Sequence, residues 1–188
     1  MQNSESKKDT PVVLKIAVVG PESTGKSTMS AYLAKHYNTI WVPEYARGYC
    51  EKLTAPPTWQ DEINMFYGQI ALEDELLPNG NHLLICDTTF ITVKIWSDEI
   101  FGRSPQEVLE EMPKRTYDLY LLLNIDLPWE DDPLRDFPHK REHFMDVWYR
   151  ELDALKANYV LISGTGPERY HLAIKAVDDF LKSGSKKN

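Results

Sequence analysis

The chain has 188 residues, with 29 Asp and Glu against 21 Lys and Arg for a net charge of -8, and it is 42% hydrophobic and 27% charged. That is ordinary usage for a globular domain, and a chain of this length buries about 70% of its unfolded surface in one core. The acidic balance excludes a dedicated nucleic-acid binder, which needs a basic face for the phosphate backbone, and no apolar stretch approaches the 18 residues of a membrane span.

In chain order, residues 1–11 are polar and read as a disordered tail without the apolar core of a signal peptide, so the cytoplasm is the expected compartment. The apolar run over residues 12–19 predicts a first strand, and residues 28–35 predict a helix. Between them lies Gly20-Pro21-Glu22-Ser23-Thr24-Gly25-Lys26-Ser27, a complete G-x-x-x-x-G-K-S phosphate loop in the strand-to-helix context that the motif requires. A triphosphate carries several negative charges that must be held without water. A glycine-rich loop turns its backbone N–H groups inward as an anion nest, and the following helix points its positive end at the same phosphates. Lys26 adds a point charge on the β- and γ-phosphates, and the Ser27 hydroxyl is placed to ligate Mg²⁺.

Residues 39–42 predict a second strand ended by Pro43, and residues 44–52 a short helix. Thr58 opens a longer helix: Thr58 and Asp61 have the spacing of a capping box, and Trp59, Ile63, Phe66, Ile70 and Leu77 recur at helical intervals. Residues 83–86, 117–123 and 159–162 predict a third, fourth and fifth strand, and residues 183–188 a polar tail. Continuous apolar strands separated by helices imply an α/β fold with a five-stranded parallel sheet covered on both faces, here as one P-loop domain over residues 12–182. Cys86, at the end of the third strand, reads as a buried thiol, and with Cys50 it forms no disulfide framework, which suits a reducing compartment.

Within the P-loop class the kinase branch fits best. Asp87 is followed by Thr88-Thr89-Phe90, not by the glycine of an Asp-x-x-Gly switch, and Asn124-Ile125-Asp126 is only a remnant of the guanine-specific Asn-Lys-x-Asp. The chain is also short for an AAA-type motor with a helical lid domain. Asp87 sits where a Walker B carboxylate would orient Mg²⁺ beside Ser27; as a plain structural residue it would instead cap the helix that starts near Thr89. Glu44, just past the second strand, faces the acceptor pocket in many P-loop kinases and is a candidate proton acceptor, or else forms a surface pair with Arg47. Residues 126–141 carry three prolines and dense charge. They read as a lid that closes over the triphosphate and supplies an arginine, Arg135 first and Arg141 second, or as a solvated charged loop. His139 and His143 are four apart but fall in this charged stretch, a weak metal signal.

Taken together, Gly20 to Ser27, Pro43-Glu44-Tyr45-Ala46-Arg47, Gln69-Ile70-Ala71, Cys86-Asp87-Thr88-Thr89-Phe90-Ile91-Thr92 with Lys94 and Trp96, Tyr117-Asp118-Leu119-Tyr120, Pro128 to Arg135, and Ile162-Ser163-Gly164 with Glu168-Arg169 closely resemble the ribosylnicotinamide kinase domain of NadR-type proteins. The resemblance spans most of the chain. It implies transfer of the ATP γ-phosphate, with Mg²⁺, to the 5'-hydroxyl of nicotinamide riboside. It further implies ATP contacts from Gly20, Glu22, Ser23, Thr24, Gly25, Lys26, Ser27, Thr28 and Arg135, with Ser163 and Gly164 near adenine. Acceptor contacts would come from Glu44, Tyr45, Arg47, Gln69, Asp87 and Trp96, metal contacts from Ser27 and Asp87, and the proton would go to Glu44 or Asp87. Trp41, Tyr45, Tyr67 and Trp96 are candidates to stack on the nicotinamide. The chain departs from the family in lacking a nucleotidyltransferase signature of the His-x-Gly-His type, and in having Pro43 and Thr89 where tryptophan and aspartate are common. Another nucleoside kinase, or a non-catalytic ATP-binding regulator that senses a pyridine nucleotide, are the alternative readings; in each the partner is a small molecule.

Overall fold

A computed structural model of the chain describes residues 12–184. The predicted tail at 1–11 lies outside the described residues, as do residues 185–188, whereas Ser183 and Gly184 close the last helix instead of opening a tail. The elements are β1 (Leu14–Val19), α1 (Lys26–His36), β2 (Ile40–Val42), α2 (Tyr45–Cys50), α3 (Trp59–Leu76), β3 (Leu83–Asp87), α4 (Ile91–Phe101), α5 (Gln106–Glu111), β4 (Leu119–Leu123), α6 (Arg141–Ala154), β5 (Tyr159–Ile162) and α7 (Gly166–Gly184).

The five strands are all parallel in the order β2-β3-β1-β4-β5. The reason β1 reads as an unbroken apolar run is visible in its two faces. Ile16 and Val18 enter one core with Met29 and Leu33 of α1 and Val177 of α7. Ala17 and Val19 enter the other with Phe66 of α3, Ile91 of α4 and Trp148 of α6. All four of these residues are fully buried, so from Ile16 onward the strand has no solvent side to make polar, and its one charged residue, Lys15, lies at the half-buried start. Full burial of Ile16, Val18 and Val19 contributes roughly 1.5–3 kcal/mol each.

Differences from the expected boundaries have local causes. The first helix begins at Lys26, two residues earlier than the pattern suggests, because Gly25 at φ 78° turns the loop straight into it. The first strand begins at Leu14 and the fourth at Leu119, leaving Tyr117 buried ahead of its strand. The capping box at the start of α3 forms as expected: Asp61 N donates to the Thr58 hydroxyl at 3.3 Å, and Thr58 N donates to Asp61 Oδ2 at 2.8 Å. The buried face of that helix is different, however. It carries Glu62, Met65, Phe66, Gln69 and Glu73, while Ile63 and Ile70 are only half-buried. Three of the five inward positions are polar, and that is why an apolar stripe alone misplaces the face.

Candidate active site

The site is built at the carboxyl end of the sheet, where the loops after β1, β2, β4 and β5 meet. At the first residue of the phosphate loop only glycine fits: Gly20 adopts φ 139°, and a Cβ there would stand 2.8 Å from the Leu123 carbonyl oxygen of the adjacent strand. Ser23 at φ 54° and Gly25 at φ 78° complete the turn. Lys26 folds back so that Nζ donates to the Pro21 carbonyl at 2.8 Å, and the Thr24 hydroxyl donates to the same oxygen at 2.8 Å.

Asp87 is the last residue of β3 and pairs in register with Val18 of β1, two residues before the loop. It is 2% exposed, and its Oδ1 has no hydrogen-bond partner. Burial pushes its carboxyl up to about 6, with the Ser27 hydroxyl drawing it down and the Glu44 charge raising it further. Thr88 then turns at φ 64° and its N–H donates to the Val18 carbonyl at 2.9 Å, which ends the strand. The alternative in which Asp87 caps the next helix does not hold, since α4 begins at Ile91 with Phe90 at its N-cap and no side-chain cap. Glu44 is the N-cap residue of α2 and makes no cap bond, leaving its carboxylate in the cavity wall. The expected alternative pairing of Glu44 with Arg47 is also displaced: Arg47 pairs with Asp132 at 2.6 Å and with Glu51 at 3.7 Å.

The loop over residues 126–140 lies folded down on the phosphate loop. Arg141, the first residue of α6, donates to the Leu127 carbonyl at 2.9 Å and to the Ser23 carbonyl at 3.1 Å. Glu130 N donates to the Ser23 hydroxyl at 3.2 Å, and Phe137 N to Glu22 Oε2 at 3.3 Å. Arg135 donates to the Glu130 carbonyl at 2.5 Å. Burial and the neighbouring positive charge of Arg135 both lower the pKa of Arg141. Two guanidinium groups that repel each other beside a phosphate loop are stabilised by an anion placed between them.

These elements enclose a cavity of about 960 Å³. Its walls follow the strand order. Gly166, Arg169 and Tyr170 border it after β5, the phosphate loop after β1, and Glu44, Cys50, Glu62 and Met65 on the β2 side. Trp96, Phe137, Phe144 and Trp148 supply aromatic wall.

Several residues expected to make contacts lie outside the cavity wall, Asp87 beneath the phosphate loop among them. Tyr45 and Gln69 clip α2 to α3 and do not line the cavity: Tyr45 N donates to Gln69 Oε1 at 2.9 Å, and the Tyr45 ring lies where a Gly68 Cβ would be, at 2.0 Å. Of the four candidate stacking rings only Trp96 lines the cavity, while Trp41 and Tyr67 are 41% and 55% exposed away from it. Ser163 and Gly164 also stay out of the wall; the Ser163 hydroxyl accepts from Asn124 Nδ2 at 3.2 Å and Gly164 N donates to Asp126 Oδ2 at 2.7 Å. His143 is engaged by Glu99 at 2.9 Å, apart from His139.

Two wall residues have no role that the sequence assigns, although Arg169 belongs to one of the segments that carry the resemblance. Arg169, 3% exposed, donates to the carbonyls of Gly164, Thr24 and Asn124 at 2.8, 3.0 and 2.9 Å, and so ties the phosphate loop to the ends of β4 and β5. Glu62 is 1% exposed, and neither of its carboxyl oxygens has a partner. The only sequence signal for Glu62 is its helical phase with Met65, Phe66, Gln69 and Glu73.

The sheet order, the phosphate loop and the carboxylate at the end of β3 define a P-loop fold of the nucleoside and nucleotide kinase type. The structure of deoxyadenosine kinase from M. mycoides matches with a TM-score of 0.63 over 88% of this chain and 100% of that one, at 14% identity; thymidylate kinase from Ehrlichia chaffeensis matches with 0.60. The chain belongs to the AAA_28 family, described as an AAA domain, which it matches over residues 15–169. It is similar to the trifunctional NAD biosynthesis/regulator protein NadR of Salmonella typhimurium, at 30% identity over 64% of this chain and 30% of that protein. The Escherichia coli protein of the same name is 27% identical over 78% of this chain and 37% of its own length. The chain thus spans about a third of the length of these curated relatives. A crystal structure of NadR in complex with NR matches with a TM-score of 0.74 at 22% identity, over 89% of this chain and 50% of that one. Among the described residues no helix is long and apolar enough to cross a membrane.

Proposed function

We propose that the protein is a ribosylnicotinamide kinase, transferring the γ-phosphoryl group of ATP to the 5'-hydroxyl of nicotinamide riboside to give nicotinamide mononucleotide. The observation that carries this reading is a continuous cavity of about 960 Å³, which joins a complete phosphate loop to a half walled by Glu44 and aromatic rings. Space for a triphosphate and for a flat-ringed acceptor is thereby continuous. The similarity to NadR, one structure of which contains NR, supports that acceptor over others.

In this reading the loop N–H groups, Lys26, Arg135 and Arg141 bind the triphosphate. Arg169 acts as a positioning residue, fixing the Thr24 carbonyl and with it the loop's shape. Ser27 and Asp87 fit a divalent cation: the hydroxyl and the carboxylate are neighbours at the loop, and Asp87 Oδ1 is a buried oxygen with no protein donor. Mg²⁺, when bound, would offset the charge that builds on the β- and γ-phosphates. Glu44 takes the proton of the 5'-hydroxyl as the new P–O bond forms; the bond between the γ-phosphorus and the bridging oxygen breaks, and ADP leaves with that oxygen. The aromatic wall and the folded-down loop exclude water from the transferring group. The kinase structures matched by the fold keep a different nucleoside open as the acceptor. Coupled ADP release against an acceptor panel decides between them: selective turnover of nicotinamide riboside supports the proposal, and turnover of another nucleoside alone rejects it.

A further inference from the structure

Glu62 is a buried charge site with no protein partner. It stands at the start of α3, 1% exposed, with both oxygens unpartnered, and it forms part of the cavity wall on the β2 side. An unpaired carboxylate taken out of water costs several kcal/mol, so a buried one is expected to have a cation, a metal or a set of N–H donors beside it. None is supplied by the described residues. The cations of the cavity are engaged elsewhere: Arg47 by Asp132, Arg135 by a backbone carbonyl, and Arg169 by three more, while Arg141 beside the cavity is held by two. Lys26 donates to Pro21 in the phosphate loop. A partner for Glu62 therefore has to enter through the cavity.

The surroundings state what that partner is. Glu44 and Asp136 line the same cavity and, together with Glu62, all raise the pKa of Cys50 through their negative charges, so this part of the cavity is anionic. Trp96 and Trp148 line it as well, with Phe144 packed on Trp96 at 4.6 Å between centroids. Aromatic faces with carboxylates and no free cation favour a flat, positively charged ring that bears an N–H donor. The geometry points to Glu62 as the residue that selects the acceptor, by accepting hydrogen bonds from, and balancing the charge of, a cationic carboxamide-bearing ring. The inference rests on the kinase reading above and sharpens it. Glu62 is a specificity residue, distant in role from the proton transfer at Glu44, and it distinguishes a pyridinium carboxamide from the corresponding pyridinium carboxylate. The latter would set a second carboxylate against Glu62.

Steady-state ADP release is measured for the full chain and for Glu62→Gln with nicotinamide riboside, nicotinic acid riboside, cytidine, adenosine and uridine, after both proteins are shown to melt cooperatively. The full chain is expected to favour nicotinamide riboside over nicotinic acid riboside. Loss of a charge-assisted hydrogen bond is worth roughly 10- to 100-fold. Glu62→Gln is therefore expected to raise KM for nicotinamide riboside by about tenfold or more with kcat within about twofold, and to narrow the gap to nicotinic acid riboside. A purely structural Glu62 would lower activity on every acceptor alike or on none, and either result overturns the inference. Turnover of an amino-bearing nucleoside in place of nicotinamide riboside, with KM still raised in Glu62→Gln, rejects the proposed function while Glu62 keeps its donor-reading role. Turnover of uridine alone, or of nothing, rejects both.

Discussion

Replacing Glu62 by Gln separates the consequences of a buried unpartnered acid from those of packing, because the two side chains have nearly the same shape. Burial pushes the Glu62 carboxyl from 4.5 up to about 7, with Asp61 adding to the shift. The folded chain thus binds this proton more tightly than the unfolded chain does. Between pH 4.5 and 7 the folded state holds the extra proton, so stability falls as pH rises through that window and levels off above it. A shift of this size corresponds to a ceiling of about 3 kcal/mol at pH 8, or roughly 6–10 °C in Tm for a domain of this length. Gln does not titrate, and the amide it leaves buried costs the same at every pH. The Tm of Glu62→Gln minus that of the parent chain is therefore expected to rise by several degrees from pH 5 to pH 8, measured by calorimetry in matched buffers. Asp87, Glu22 and Glu73, whose carboxyls are also raised by burial, titrate in both proteins and cancel in the difference. A difference that is flat or falls with pH would show that Glu62 has a partner or water in solution and would refute the reasoning.

Three further outcomes follow from particular contacts. Glu44→Gln is expected to lower kcat by about 10²-fold or more with little change in the affinity for ATP, as loss of a proton acceptor does; retention of kcat, checked by the same ADP assay, would move that role to Asp87. Gly20→Ala places a Cβ 2.8 Å from the Leu123 carbonyl at a φ of 139°, and is expected to cost about 1–3 kcal/mol or more by urea denaturation, with a matching loss of nucleotide binding. Arg169→Met leaves the carbonyls of Thr24, Gly164 and Asn124 without their buried donor; it is expected to cost about 3 kcal/mol or more and to weaken binding of a non-hydrolysable ATP analogue by calorimetry, whereas an unchanged affinity would show that the loop keeps its shape alone.

Much of this fold is legible in the sequence because its strongest determinants are local. The phosphate loop is a contiguous motif, the capping box at Thr58 and Asp61 is a three-residue relation, and the buried strands are apolar on both faces. Asp87 could be placed at a strand end because the apolar run stops beside it. What the sequence leaves obscure depends on contacts far apart in the chain. Arg47 meets Asp132 across 85 positions and Arg169 meets Thr24 across 145, and no local pattern announces either. The aromatic rings stay undivided in the sequence for the same reason: Trp41, Tyr45, Tyr67 and Trp96 are equivalent as residue types, and only packing places Trp96 in the cavity wall. Glu62 was hidden by the ordinary expectation that a charged residue marks the solvent face of a helix.

The central claim is the acceptor. It is tested most directly by coupled ADP release from Mg-ATP with nicotinamide riboside, the common ribonucleosides and deoxynucleosides, and no acceptor, with Lys26→Ala as the control for phosphate handling. Selective turnover of nicotinamide riboside, abolished in Lys26→Ala, is the expected result. Turnover confined to another nucleoside would contradict the acceptor while leaving the phosphate site in place, and tight nucleotide binding without any turnover would make the protein a regulator instead of a kinase.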